Sequence, residues 1–118
     1  ARLPRELRLC FAHGGGSFAA QLGRADNAWH RRDLVRADCP DPPSHYTDRF
    51  SVDSVVLGDD ALRLLVSVMG SERVMLGSDT PFPLGEEHPG KLVRGSAFLD
   101  DRQRGAVLGG NAIQFFDL

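Results

Sequence analysis

Three residues capable of chemistry stand at comparable points along the chain. His13 closes the apolar run LRLCFAH (Leu7–His13) and is followed at once by Gly14-Gly15-Gly16. Asp53 lies inside a second run, RFSVDSVV (Arg49–Val56), and Asp79 closes a third, RVMLGSD (Arg73–Asp79). Taken singly, a histidine at a strand end is an ordinary structural residue and an aspartate there caps the next helix. Set at matching ends of strands in one parallel sheet, the pair becomes reactive. The loops at the C-terminal ends of such strands converge, so His13 and Asp79 face one mouth. A histidine with a carboxylate suits either a zinc site or a general acid–base pair.

The elements that must position them follow a repeating plan. Leu7–His13 lacks helical spacing and reads as an interior strand that stops at the glycines. Residues Phe18 to about Trp29 suit a helix, with Arg24 and Arg31-Arg32 on its far side. RADCPDPPSHYTD (Arg36–Asp48) holds three of the seven prolines and reads as loop. Arg49–Val56 predicts a second strand. Asp59 or Asp60 is the expected N-cap of ALRLLVSVMG, whose Leu62, Leu65, Val66 and Met69 share a face and whose Gly70 marks the stop. Arg73–Asp79 predicts the third strand, followed by the proline-rich TPFPLGEEHPG. Lys91–Phe98 and Asp101–Phe116 read as closing helices, with Asp100 or Asp101 as cap. This alternation predicts an α/β fold of parallel strands covered by helices. Three such strands leave two open edges, so the chain is expected to be part of a larger sheet.

Composition narrows the function. With 118 residues the chain is one small domain or part of one, and its 42% hydrophobic content is that of a globular protein. The formal charge of −2, with Lys91 the sole lysine, gives no polyanion-binding signal, so nucleic acid is not an expected partner. No run approaches the roughly 20 apolar residues of a membrane span. Cys10 and Cys39 form no CxxC pattern and read as reduced thiols of a cytoplasmic protein, with Cys10 inside the first strand. His30, His45 and His88 lack ligand spacing and read as surface residues.

CFAHGGGSF (Cys10–Phe18), Gly23-Arg24, VMLGSDTPFPLGE (Val74–Glu86) and Gly110-Asn111-Ala112 together resemble the C-terminal third of the amidohydrolase-related decarboxylases, zinc-dependent enzymes of the amidohydrolase superfamily. The resemblance covers almost the whole chain, in order. It implies that residues 1–118 are one partial barrel domain, about strands 6 to 8 of a (β/α)8 TIM-like barrel with their helices. It further implies a metal-dependent carboxy-lyase acting without oxidation on a small-molecule dicarboxylate, with Zn2+ as cofactor and a homodimer as the assembly. His13 then corresponds to the general acid–base and Asp79 to a zinc ligand. Arg24 corresponds to an arginine that reaches the neighbouring subunit's site to bind a substrate carboxylate, Arg32 to a second arginine near the mouth, and Phe82 to a pocket-lining phenylalanine. Asp53 matches a seventh-strand position and receives no catalytic role. The family's other zinc ligands, a His-x-His after the first strand and a histidine after the fifth, have no counterpart in these 118 residues. Without the resemblance, Arg24 and Arg32 are solvated helix charges and Phe82 and Trp29 are packing residues. The competing readings are another decarboxylase or hydrolase of the superfamily and a non-catalytic barrel remnant.

Overall fold

A computed structural model describes Pro4 and residues 6–37 and 39–118; Asp38, within the expected Arg36–Asp48 loop, lies outside the described residues. The core of the fold is a parallel sheet in the order β1 (Cys10–Phe11), β2 (Ser51–Asp53), β3 (Val74–Met75). Cys10 and Phe11 pair with Ser51 and Val52, and Val52 and Asp53 with Val74 and Met75. Between β1 and β2 come α1 (Phe18–Arg31), α2 (Asp33–Arg36) and a 3-10 turn over Pro43–Arg49. α3 (Asp59–Met69) links β2 to β3, and α4 (Lys91–Gly95), α5 (Asp101–Gly105), a π turn (Ala106–Gly110) and α6 (Asn111–Phe116) complete the chain.

The parallel α/β plan expected from the sequence is therefore present, with strands shorter than the apolar runs. The paired ladder ends after Phe11 on β1, Asp53 on β2 and Met75 on β3. The core joins Val52 and Val74 of the sheet to Leu62, Leu65 and Met69 of α3 and to Val93, Leu99 and Val107 of the later helices. Val66, on the same predicted face of α3, packs at its margin.

Several local expectations need correction. Gly58, not Asp59 or Asp60, occupies the N-cap of α3, and no side chain caps it. The two aspartates sit in the first turn, where they still oppose the positive end of the helix dipole. Asp59 is drawn instead to Ser96, whose hydroxyl donates to Asp59 Oδ1 at 2.6 Å. The expected helix Lys91–Phe98 stops at Gly95. Asp100 is the cap of α5, in a reciprocal capping box with Gln103. Gly70 ends α3 with φ 79° and donates to Val66 O. Cys10 and Phe11 are both exposed, with β1 pairing only with β2 among the described residues.

Candidate active site

The chain turns sharply after β1. His13, Gly14, Gly15 and Gly16 all take positive φ, from 56° to 73°. This left-handed stretch is closed by Gly15 N–H donating to Ala12 O and Gly16 N–H to His13 O. Glycine adopts such geometry freely, so three of the four positions carry little penalty, while His13 bears a cost of ~1–2 kcal/mol. Gly14 is also buried, and a Cβ there would stand 2.5 Å from Val56 Cγ1. The glycines therefore serve the turn and the packing beneath it; only around Gly16 is there open space.

Beyond β3 the chain again takes a left-handed residue at Asp79, φ 59°. Phe82 N–H donates to Asp79 O at 2.8 Å, which folds the Thr80–Phe82 segment back over the aspartate. The two turns bring His13 and Asp79 together across 66 residues of sequence: His13 Nε2 lies 3.2 Å from Asp79 Oδ1. An ionised carboxylate only accepts, so this contact requires Nε2 to carry the proton. The carboxylate is largely enclosed, with 18% of its side chain exposed, whereas 61% of the imidazole is open. The pair thus sets an enclosed carboxylate beside an open imidazole.

The remaining candidates sit further out. Arg24 lies on the exposed side of α1, and Arg32 follows the last residue of that helix. At 1.5 Å per residue, Arg32 stands about 12 Å further along the helix axis than Arg24. Among the described residues no hydrogen bond or ion pair ties either arginine to His13 or Asp79. Phe82 is 66% exposed on the loop after Asp79. Trp29 packs, donating Nε1–H to Cys39 O at 2.8 Å beneath the Arg36 guanidinium. His30, His45 and His88 are exposed. Although Cys10 is exposed as a residue, partial desolvation of its thiol and then the nearby Asp53 carboxylate push its pKa upward, which disfavours the thiolate.

Three supporting residues escape a reading of residue types. Both oxygens of Glu86 accept backbone N–H groups at the start of α4, from Gly90 at 2.6 Å and Leu92 at 2.7 Å. The buried Asn111 amide donates to Ser71 O and Val74 O, each at 2.7 Å, and so anchors the start of β3 to α6. Arg104 gathers the carbonyls of Val93, Arg94, Ser96 and Leu99. A glutamate four residues before a helix-opening glycine is a weak sequence signal for a cap. The acceptors of Asn111 and Arg104 are main-chain atoms distant in sequence and leave no signature.

Asp79 has the chemistry of a metal ligand, and His13 is its neighbour. Among the described residues, however, no group of three or more His, Cys, Asp or Glu side chains is placed to hold a metal ion. Catalytic zinc takes three protein ligands. These residues alone do not make a metal site.

A parallel sheet with a histidine and an aspartate meeting beyond its C-terminal ends is an α/β arrangement of the kind in which barrel enzymes place their chemistry. The amidohydrolase family model matches residues 1–118, and the chain belongs to that family. It is 44% identical over 118 residues to a 2-amino-3-carboxymuconate-6-semialdehyde decarboxylase of Dictyostelium discoideum, covering 99% of this chain and 33% of the relative. It is 37% identical over 114 residues to the Caenorhabditis elegans protein of the same name, covering 96% and 28%. The chain thus spans about a third of the length of these relatives. Among solved structures, the apo IDCase of Metarhizium anisopliae superposes with a TM-score of 0.80 at 24% identity, over 96% of this chain and 34% of that one. A Polaromonas dihydroxybenzoic acid decarboxylase, solved with bound manganese and the inhibitor 2-nitroresorcinol, gives 0.73 at 20% identity, over 95% and 34%. These likenesses show the fold. No helix among the described residues is long and apolar enough to cross a membrane.

Proposed function

We propose that residues 1–118 form strands six to eight of a (β/α)8 barrel, the C-terminal third of a metal-dependent decarboxylase that releases carbon dioxide from 2-amino-3-carboxymuconate 6-semialdehyde. The observation that carries this reading is the 3.2 Å contact of His13 Nε2 with Asp79 Oδ1 beyond the sheet, in a chain 44% identical to a relative named for that reaction. His13 moves the proton: with Nε2 committed to Asp79, the other ring nitrogen, Nδ1, takes one from water and returns it to the carbon as the carboxylate departs, so that the carboxylate and water become the protonated product, carbon dioxide and hydroxide. Asp79 orients the ring and contributes a sheltered anion. Zinc is the metal we assign, with Asp79 as its ligand from this chain and the other donors outside these 118 residues; when bound it supplies Lewis acidity.

Arg24 and Arg32 fit the substrate's carboxylates, because guanidinium groups give permanently charged, two-pronged donors. Arg24, outward on α1, suits a site completed across a homodimer, and Phe82 suits an apolar wall beside Asp79. The free thiols fit a reducing, cytoplasmic setting. The test is carbon dioxide release by the protein at its full native length, with metal content measured in parallel. Turnover of this substrate, lost on chelation and restored by zinc, is the expected result. A metal-replete protein that decarboxylates only dihydroxybenzoic acids, or nothing, overturns the reading.

A further inference from the structure

Asp53 has no part in the chemistry assigned above, yet its carboxylate ties the end of β2 to the His13 turn. It is the last residue of β2, half-buried between its neighbours. Its Oδ1 accepts two backbone N–H groups: that of Gly14, at 2.9 Å, and that of Val55, at 3.0 Å. The first of these is decisive, since Gly14 directly follows His13. The left-handed turn there has no partner strand to hold it, and its own two hydrogen bonds close only Ala12–Gly16. Asp53 fixes the turn to β2 from the side.

The opposite flank of Asp53 is shaped to match. A Cβ at Gly77 would lie 2.9 Å from both Cβ and Cγ of Asp53, so glycine at 77 is what lets the carboxylate stand where it does. Gly77 N–H donates to the hydroxyl of buried Ser54, 3.3 Å away, which fixes the strand leading to Asp79 against the same end of β2. The dipeptide Asp53-Ser54 therefore holds the His13 turn on one side and the approach to Asp79 on the other.

We infer that Asp53 is a positioning residue, whose oxygen, through the Gly14 amide, sets where the His13 ring stands relative to Asp79. The inference rests on the proposed role of His13. What it requires of residue 53 is an acceptor at one place; a negative charge is not required. Asparagine supplies that acceptor, alanine removes it, and glutamate carries it one methylene too far into the space beneath Gly77.

The experiment compares Asp53→Asn, Asp53→Ala and Asp53→Glu in the protein at its full native length. Each is assayed for kcat, KM, metal content and amide exchange at Gly14. Asp53→Asn is expected to stay within about threefold of the parent in kcat, with Gly14 still protected. Asp53→Ala and Asp53→Glu are expected to lose ten- to a hundredfold in kcat, the scale of a misplacement of about 1 Å, with KM and metal content within about threefold and with faster exchange at Gly14. Asp53→Glu remains informative if Asp53→Ala does not fold. Equal loss in Asp53→Asn and Asp53→Ala overturns the inference in favour of charge, and undiminished kcat in Asp53→Glu overturns it outright. If the parent shows no decarboxylation, the proposed function has failed, and the inference is then judged on geometry. A His13–Asp79 contact unchanged in a crystal structure of Asp53→Ala refutes it, and a lengthened one supports it.

Discussion

Gly14→Ala tests whether the glycines after His13 are there for the turn and its packing. Two costs add. The backbone at Gly14 has φ 61° and ψ 20°, a left-handed geometry that costs an L-residue ~1–2 kcal/mol. The new methyl would also stand 2.5 Å from Val56 Cγ1 and 3.2 Å from Leu65 Cδ2. Overpacking of that kind costs about 1–3 kcal/mol. The sum, about 2–5 kcal/mol, is a large part of the 5–15 kcal/mol by which domains are stable. Urea unfolding of the parent, Gly14→Ala, Val56→Ala and the double variant separates the two costs. Val56→Ala removes the blocking Cγ1, so the double variant should recover about 1–3 kcal/mol relative to additivity. A Gly14→Ala destabilisation below about 1 kcal/mol, or strict additivity, would refute the packing described around the turn.

Three further outcomes are expected. Asn111→Ala strands the Ser71 and Val74 carbonyls, and should lower stability by about 2–4 kcal/mol in urea unfolding; a change under 0.5 kcal/mol would contradict the anchoring role. Glu86→Ala removes both acceptors at the start of α4, and should cost ~1–2 kcal/mol while accelerating amide exchange at Gly90 and Leu92; unchanged exchange at both would show that the cap is immaterial. The Asp26 carboxyl pKa is lowered because Ser44 donates to it, with minor help from His30 and His45. A depressed folded-state pKa means that this contribution is present above the unfolded value near 3.8 and is lost as pH falls through the lower folded value. The Ser44 amide shift should follow that titration below pH 4, and a midpoint above it would contradict the assignment.

Periodicity and punctuation made the frame of this molecule legible. Apolar runs that stop at His13 and at Asp79 mark where the chain passes beyond the sheet, and parallel order then brings those two residues to its C-terminal end. Leu62, Leu65 and Met69 announce the buried face of α3 by spacing alone. Strand length was not legible, because a ladder needs a partner at every rung and residue types do not show where the chain leaves it. Asp59 reads as a cap, yet Gly58 takes that place. The same opacity hid what Asp53, Glu86, Asn111 and Arg104 hold, because their partners are backbone atoms brought near by the fold. His13 and Asp79 could be read as a pair; what holds them in place could not.

The division of labour between these two residues is the central claim, and one paired measurement tests it. His13→Ala and Asp79→Ala, made in the protein at its full native length, are assayed for bound metal by elemental analysis and for carbon dioxide release. His13→Ala should abolish turnover while retaining nearly all of the metal, and Asp79→Ala should lose both. Equal loss of metal in the two variants, or turnover surviving in His13→Ala, would contradict the assignment of His13 to proton transfer and Asp79 to the metal.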